Sequence, residues 1–220
     1  MQRGKELAEQ QLYEDAVIEL HSALAIDPNH ADAHWQLALV YRDFGDPRRA
    51  FWELQETLRL DPDNLQAKIY YSRTLALSSS DEALTDALEA ADEVVAEDPT
   101  NPEAQIARGR ALQGLRRFTD AKAAFLEAAR LAPDDAEPLR RLANVHRLAG
   151  EDDDAERVFR QAIDVEGDFH SYIAFAAFLA GAERFDDVDL AFEGAVDTAE
   201  GEQAVEAYGL YAGFLSTQER

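Results

Sequence analysis

Cysteine is absent from this chain of 220 residues, methionine occurs once, and lysine only as Lys5, Lys68 and Lys122. Without thiols there can be no disulfide and no thiolate metal site. That composition suits a cytosolic setting, or a periplasmic one if a leader has been removed. No apolar run reaches the roughly 18 residues of a membrane span, and Met1-Gln2-Arg3-Gly4-Lys5 lacks the apolar core of a signal peptide. Basic residues are also scarce: 21 against 45 acids, a formal charge of −24. Such a surface repels polyanions, so nucleic acid and anionic lipid are excluded as partners unless arginines cluster locally. What is abundant is apolar side chain, 46% of residues, far more than a disordered chain carries. The length fits one large domain or two ordinary ones.

The clearest positive signal is self-similarity. Prolines follow an acidic or small residue at Asp27-Pro28, Asp61-Pro62, Asp98-Pro99 and Ala132-Pro133, at spacings of 34, 37 and 34. An alanine stands 12 positions before each, Ala16, Ala50, Ala87 and Ala121, and Ala155 and Val188 continue the series. Four residues on come Leu20, Leu54, Ala91, Phe125, Phe159 and Phe192, and three further on Ala23, Thr57, Val94, Ala128, Ala162 and Ala195. These offsets define one helical face.

A second apolar stripe precedes each alanine: Leu37, Ala38 and Tyr41; Arg108, Gly109 and Leu112; Leu142, Ala143 and His146; Phe175, Ala176 and Leu179. Each unit is therefore two helices. Asp46 followed by Pro47 predicts a helix start, Thr119 and Asp186 are expected to cap likewise, and Asn64, Asn101 and Asp135 are expected to cap the helices after the prolines. Three extra residues near Ser78-Ser79-Ser80 predict an added turn on the helix starting at Asp81.

On these residues the chain resembles the tetratricopeptide repeat family, whose unit carries an aromatic, Leu-Gly, Tyr, a second-helix Ala, an aromatic, Ala and Pro within 34 residues. The resemblance implies an all-α, right-handed superhelical solenoid with a concave groove, formed by a single array of units at about 1–30, 31–64, 65–101, 102–135, 136–168 and 169–202. Residues 203–220 read as the first helix of a seventh unit or a cap. Gly167 stands where a proline belongs, and Val188 where the small alanine belongs, which predicts a looser helix contact. The apolar stripe Tyr208, Tyr211, Ala212 and Leu215, ending at Thr217-Gln218-Glu219-Arg220, is unlike a polar cap and predicts a chain cut from a longer array.

The resemblance also places the groove on the first helix of each hairpin, at positions two, five, six, nine and twelve. These give Trp35, Gln36, Leu39 and Arg42; Ile69, Tyr70 and Arg73; Ile106 and Arg110; and Arg140, Arg141, Asn144 and Arg147. Arginines gathered on one face of an acidic chain point to a protein or peptide segment bearing carboxylates, held by bidentate contacts, with Trp35, Tyr70, Ile69 and Ile106 as apolar anchors. A plainer reading stands beside it, in which the arginines neutralise neighbours such as Glu103 and Glu137. The Lys/Asn clamp of chaperone-tail-binding members is not matched, because Met1, Lys5, Gln36, Gln66 and Tyr70 occupy its positions.

Catalytic and metal signals are weak. His30 and His34 have helical pair spacing but no third ligand. His146 reads as a core or groove-edge residue, and Glu151-Asp152-Asp153-Asp154 as a charged helix start rather than a calcium loop. No phosphate loop or nucleophile elbow occurs, so no cofactor is implied and the expected function is a non-catalytic interaction scaffold. Two alternatives remain: a substrate-recruiting or regulatory segment of a larger enzyme, and a module that self-associates through its last helix.

Overall fold

A computed structural model of the chain describes residues 1–217, and among these residues there are thirteen helices and no strand. They fall into two compact units, Met1–Pro99 and Thr100 onward. The first holds α1 (Gln2–Glu9), α2 (Tyr13–Ile26), α3 (Ala31–Asp43), α4 (Pro47–Leu60), α5 (Leu65–Leu75) and α6 (Asp81–Glu97). The second holds α7 (Pro102–Gly114), α8 (Phe118–Leu131), α9 (Glu137–Leu148), α10 (Asp152–Val165), α11 (Phe169–Gly181), α12 (Phe185–Thr198) and α13 (Glu202–Thr217). In each unit, consecutive helices pair as three hairpins; in the second, α13 then leans on α12 and α11.

Small side chains let the hairpins close. Ala16, Ala87, Ala121, Ala155 and Val188 are wholly buried and Ala50 nearly so. A Cβ on Gly109 would lie 2.6 Å from Phe125 Cε1, so α7 and α8 touch where only glycine fits. Val188 is accommodated without exposure. Nearby, Gly194 leaves the space that the ring of Tyr172 fills, since a Cβ there would lie 2.4 Å from Tyr172 Cε1.

The connections repeat as faithfully as the helices. Between the helices of five hairpins one residue takes a left-handed conformation: Gln11, Gly45, Arg116, Gly150 and Glu183. The amide of the next residue then donates five positions back, as in Asp46 N to Tyr41 O at 2.8 Å and Arg117 N to Leu112 O at 2.9 Å. Such a turn satisfies the last carbonyls of the first helix. Between hairpins, proline ends the helix, and Asn64 and Asn101 accept from Ala67 N and Ala104 N at 3.0 and 3.1 Å. Asp46 caps α4 in the same way, accepting from Arg49 N at 3.1 Å.

Three capping expectations need correction. Thr119 and Asp186 lie inside α8 and α12, whose N-caps are Arg117 and Arg184 without side-chain bonds, because the left-handed residue before them starts the helix earlier. Asp135 stands one residue before the α9 cap Ala136 and accepts from Glu137 N at 2.8 Å. The insertion at Ser78–Ser80 does lengthen its helix: α6 has 17 residues where α4 and α8 have 14, and Ser80 is its N-cap. From Gln218 on, the expected break after α13 lies outside the described residues.

Candidate functional site

In the first unit, α3 and α5 bring three of the expected residues together. The Trp35 ring meets Tyr70 edge-on at 6.4 Å, and the Arg42 guanidinium lies 5.6 Å from the Tyr70 centroid. Arg42 also donates to Asp43 at 2.6 Å, which with burial of the ring leaves a compact, charge-compensated corner. Burial raises the Tyr70 hydroxyl above its ordinary value, against the lowering effect of Arg42. Gln36, Leu39 and Arg73 are half-buried on the same helices. Ile69 is a correction: it is only 4% exposed and belongs to the core.

The second unit gathers the rest more tightly. Arg140, Arg141, Asn144 and Arg147 of α9 line an open groove of about 780 Å³ with Glu137, and α10 and α11 supply the rest. Its apolar part is Phe159, Phe178, Ala174 and Ala177, with His170 at the edge. Arg140 reaches across to α11, donating to Ser171 Oγ at 3.0 Å and Asp168 Oδ1 at 3.2 Å. Burial would raise the Asp168 carboxyl, but the Ser171 hydrogen bonds and the Arg140 charge outweigh it and hold the group below its ordinary range. Arg141 is shared with Glu137 at 3.1 Å, as the plainer reading expects. Arg147 instead bonds the neutral Asn144 Oδ1, at 2.8 and 3.1 Å, so its charge is not cancelled there.

Ile106 is a second correction, being fully buried, and Arg110 is half-buried on α7 outside the residues that line this groove. Position five sits at the margin of the buried stripe, where the neighbouring hairpin decides exposure. Carrying the same offsets into the sixth unit, to 170, 174 and 177, identifies the opposite wall. Phe178 and Phe159 have no such signal, because they read as core.

Comparison with known proteins bears on the family and the fold. A family model described as tetratricopeptide repeat matches residues 36–102 and 106–169, and one described as TPR repeat matches 4–43. The chain belongs to the tetratricopeptide repeat family. It is 38% identical over 90 residues to a putative cytochrome c-type biogenesis protein CcmH of Haemophilus influenzae, a match covering 38% of this chain and 19% of that protein. Among solved structures it is similar to a thermophilic tetratricopeptide protein of Thermus thermophilus, with TM-score 0.72, 22% identity, and 84% and 98% of the two chains covered. It is also similar to PilW, a type IV pilus biogenesis factor, with TM-score 0.74, 18% identity, and 94% and 96% covered. MamA from Desulfovibrio magneticus follows at TM-score 0.67, 19% identity, and 75% and 92% covered.

As in tetratricopeptide proteins generally, the chain is built to hold protein partners. Two of its histidines serve the framework of the fold. His34 is not paired with His30: Nδ1 lies 2.6 Å from Glu53 Oε2 and Nε2 3.1 Å from Pro28 O, so both ring nitrogens are engaged within the fold. His146 Nδ1 meets Glu151 Oε2 at 2.5 Å, and Lys122 holds both oxygens of that carboxylate at 2.8 Å. Lys122 first and His146 second keep the Glu151 carboxyl below its usual range. Asp154 lies close by, yet the ammonium already takes the charge a cation would neutralise. Asp152, Asp153 and Asp154 form the first turn of α10, as expected of an acidic helix start. Lys5, in one clamp position, is paired with Asp32 at 3.0 Å. None of the described helices is long and apolar enough to cross a membrane.

Proposed function

We propose that this tetratricopeptide chain is a non-catalytic scaffold that holds a carboxylate-bearing segment of a partner polypeptide in the groove between α9 and α11. The observation that carries the reading is charge. Three arginines and one glutamate line that groove in a chain of net charge −24. Arg147, bonded to a neutral amide, remains a full cation for the ligand. Phe178 and Phe159 give the segment apolar surface, and the edge-on Trp35–Tyr70 pair offers a comparable platform on the first unit. The names of the relatives, a cytochrome c-type biogenesis protein and a type IV pilus biogenesis factor, support a role in assembling other proteins.

Anisotropy of fluorescent peptides rich in Asp and Glu, set against their Asn and Gln counterparts, tests this. Arg141→Glu with Arg147→Glu is expected to keep native helicity and weaken the acidic peptides at least about tenfold, since a charge-assisted contact contributes about 1.5–3 kcal/mol. Salt should weaken the wild type in the same direction. Equal binding of acidic and amide peptides, or an unaffected double variant, removes the proposal.

A specific observation favours a second reading, self-association through α13. Val205, Tyr208 and Leu210 are 75%, 60% and 44% exposed, and the space beside Gly209 and Gly213 is open. A second copy must overcome like charge, so light scattering should show mass rising with salt, the reverse of the groove's dependence. A mass that stays monomeric at all salt concentrations rules it out.

A further inference from the structure

A second cationic feature lies in the first unit, on α2, α3 and α4. Arg48, Arg49 and Trp52 of α4 line a cleft of about 440 Å³ with His21 of α2 and Tyr41 of α3. Arg48 is exposed and has no carboxylate partner among the described residues. Arg49 is 3.3 Å from Asp46 but 65% exposed, and its guanidinium lies 5.5 Å from the Tyr41 centroid. Trp52, one helical turn on, is 55% exposed, although its ring also meets His34 edge-on at 6.1 Å. The cleft floor is already organised: His21 Nε2 and Tyr41 Oη are 3.1 Å apart. Glu53 also lines the cleft, but its carboxyl is bound to His34 at 2.6 Å and is almost wholly buried, so it does not cancel the arginines.

We infer that this cleft is a second peptide site, one that takes an acidic side chain next to an aromatic one. Two adjacent guanidiniums in a chain with more than twice as many acids as bases create a local positive potential that solvation alone does not require. The half-exposed indole beside them offers an apolar face on which an aromatic ring can lie. Together they complement a dipeptide such as Asp-Phe: the guanidiniums hold the carboxylate in charge-assisted bonds, and the phenyl ring lies on Trp52. The site uses helices α2, α3 and α4 only, and does not depend on the α9–α11 groove.

The chain's two tryptophans supply the test. In the uniformly 15N-labelled protein, the indole cross-peaks of Trp35 and Trp52 are assigned with Trp52→Phe, and acetyl-Asp-Phe-amide is titrated against acetyl-Asn-Phe-amide. The expected result is a saturable shift of the Trp52 peak with the Asp peptide, at least about tenfold weaker with the Asn peptide. Arg48→Ala with Arg49→Ala should abolish it while Arg141→Glu with Arg147→Glu should not. Equal response to the two peptides, a shift unchanged in the Arg48/Arg49 variant, or no saturable shift overturns the inference. A shift lost only in the Arg141/Arg147 variant assigns the peptide to the other groove and overturns it as well.

Discussion

The sharpest energetic test lies in the buried pair His34–Glu53. His34 is 5% exposed and Glu53 3%, their contact is 2.6 Å, and the second ring nitrogen of His34 is fixed by Pro28 O. The pair thus ties α3, α4 and the turn before α3 into one joint. The same position holds Ala90, Ala124, Val158 and Ala191 in the third to sixth hairpins and Glu19, which is only part-buried, in the first, so Glu53 is a carboxylate buried where four later hairpins place an apolar side chain. Exposed ion pairs contribute about 0–1 kcal/mol, but removing one partner of a buried pair costs about 3–5 kcal/mol. Glu53→Ala is therefore expected to destabilise the first unit by about 3–5 kcal/mol. Glu53→Gln, which keeps shape and can still bond His34, should stay within about 1 kcal/mol at acid pH.

The pH dependence separates these cases further. Burial raises the Glu53 carboxyl above its ordinary 4.5, and the hydrogen bond from His34 offsets that only in part. The folded chain then keeps this proton to higher pH than the unfolded chain does. The stability it contributes is whole below the unfolded carboxyl value and is lost as pH rises through the folded one. Glu53→Gln cannot titrate, so it should gain on the wild type across a window that opens near 4.5 and closes at the raised value. Trp35 and Trp52 are the only tryptophans and both lie in the first unit, so urea unfolding followed by their emission reads that unit directly. A Glu53→Ala cost below about 1 kcal/mol, or a Glu53→Gln difference that does not move with pH, would refute the reasoning.

Three more substitutions probe the hairpin geometry. Gly109→Ala sets a Cβ against the fully buried Phe125 ring, which cannot swing away, and should cost about 1–3 kcal/mol by thermal or urea unfolding. Gly150 and Arg116 occupy the same turn position at φ 77° and 59°. Gly150→Ala is expected to destabilise and Arg116→Gly to stabilise, each by about 0.5–1 kcal/mol, and paired melting curves that move in the same direction would contradict the assignment.

The repeat period, the small-residue positions and the helical class were legible in the chain by itself, because steric matching between helices permits only small side chains at a fixed pitch. Asn64, Asn101 and Asp46 could be read as caps for a similarly local reason. The early starts of α8 and α12 could not, since Arg116 and Glu183 are side chains that seldom adopt the left-handed conformation those turns require.

Partnership is where the tertiary structure decided. Helical offsets put Ile69 and Ile106 beside Tyr70 and Arg110, and packing buried the isoleucines. The arginines of α9 share a face by periodicity, and the Arg141–Glu137 pair one turn apart is expected from the sequence, yet only the fold shows that Arg140 crosses to Asp168 and that Arg147 ends on an uncharged amide. The sequence puts His30 in the turn and His34 on the helix, but only the fold shows that α4 brings Glu53 to His34. Periodicity fixes which side of a helix a residue occupies, whereas its charge state and exposure depend on what another helix places opposite.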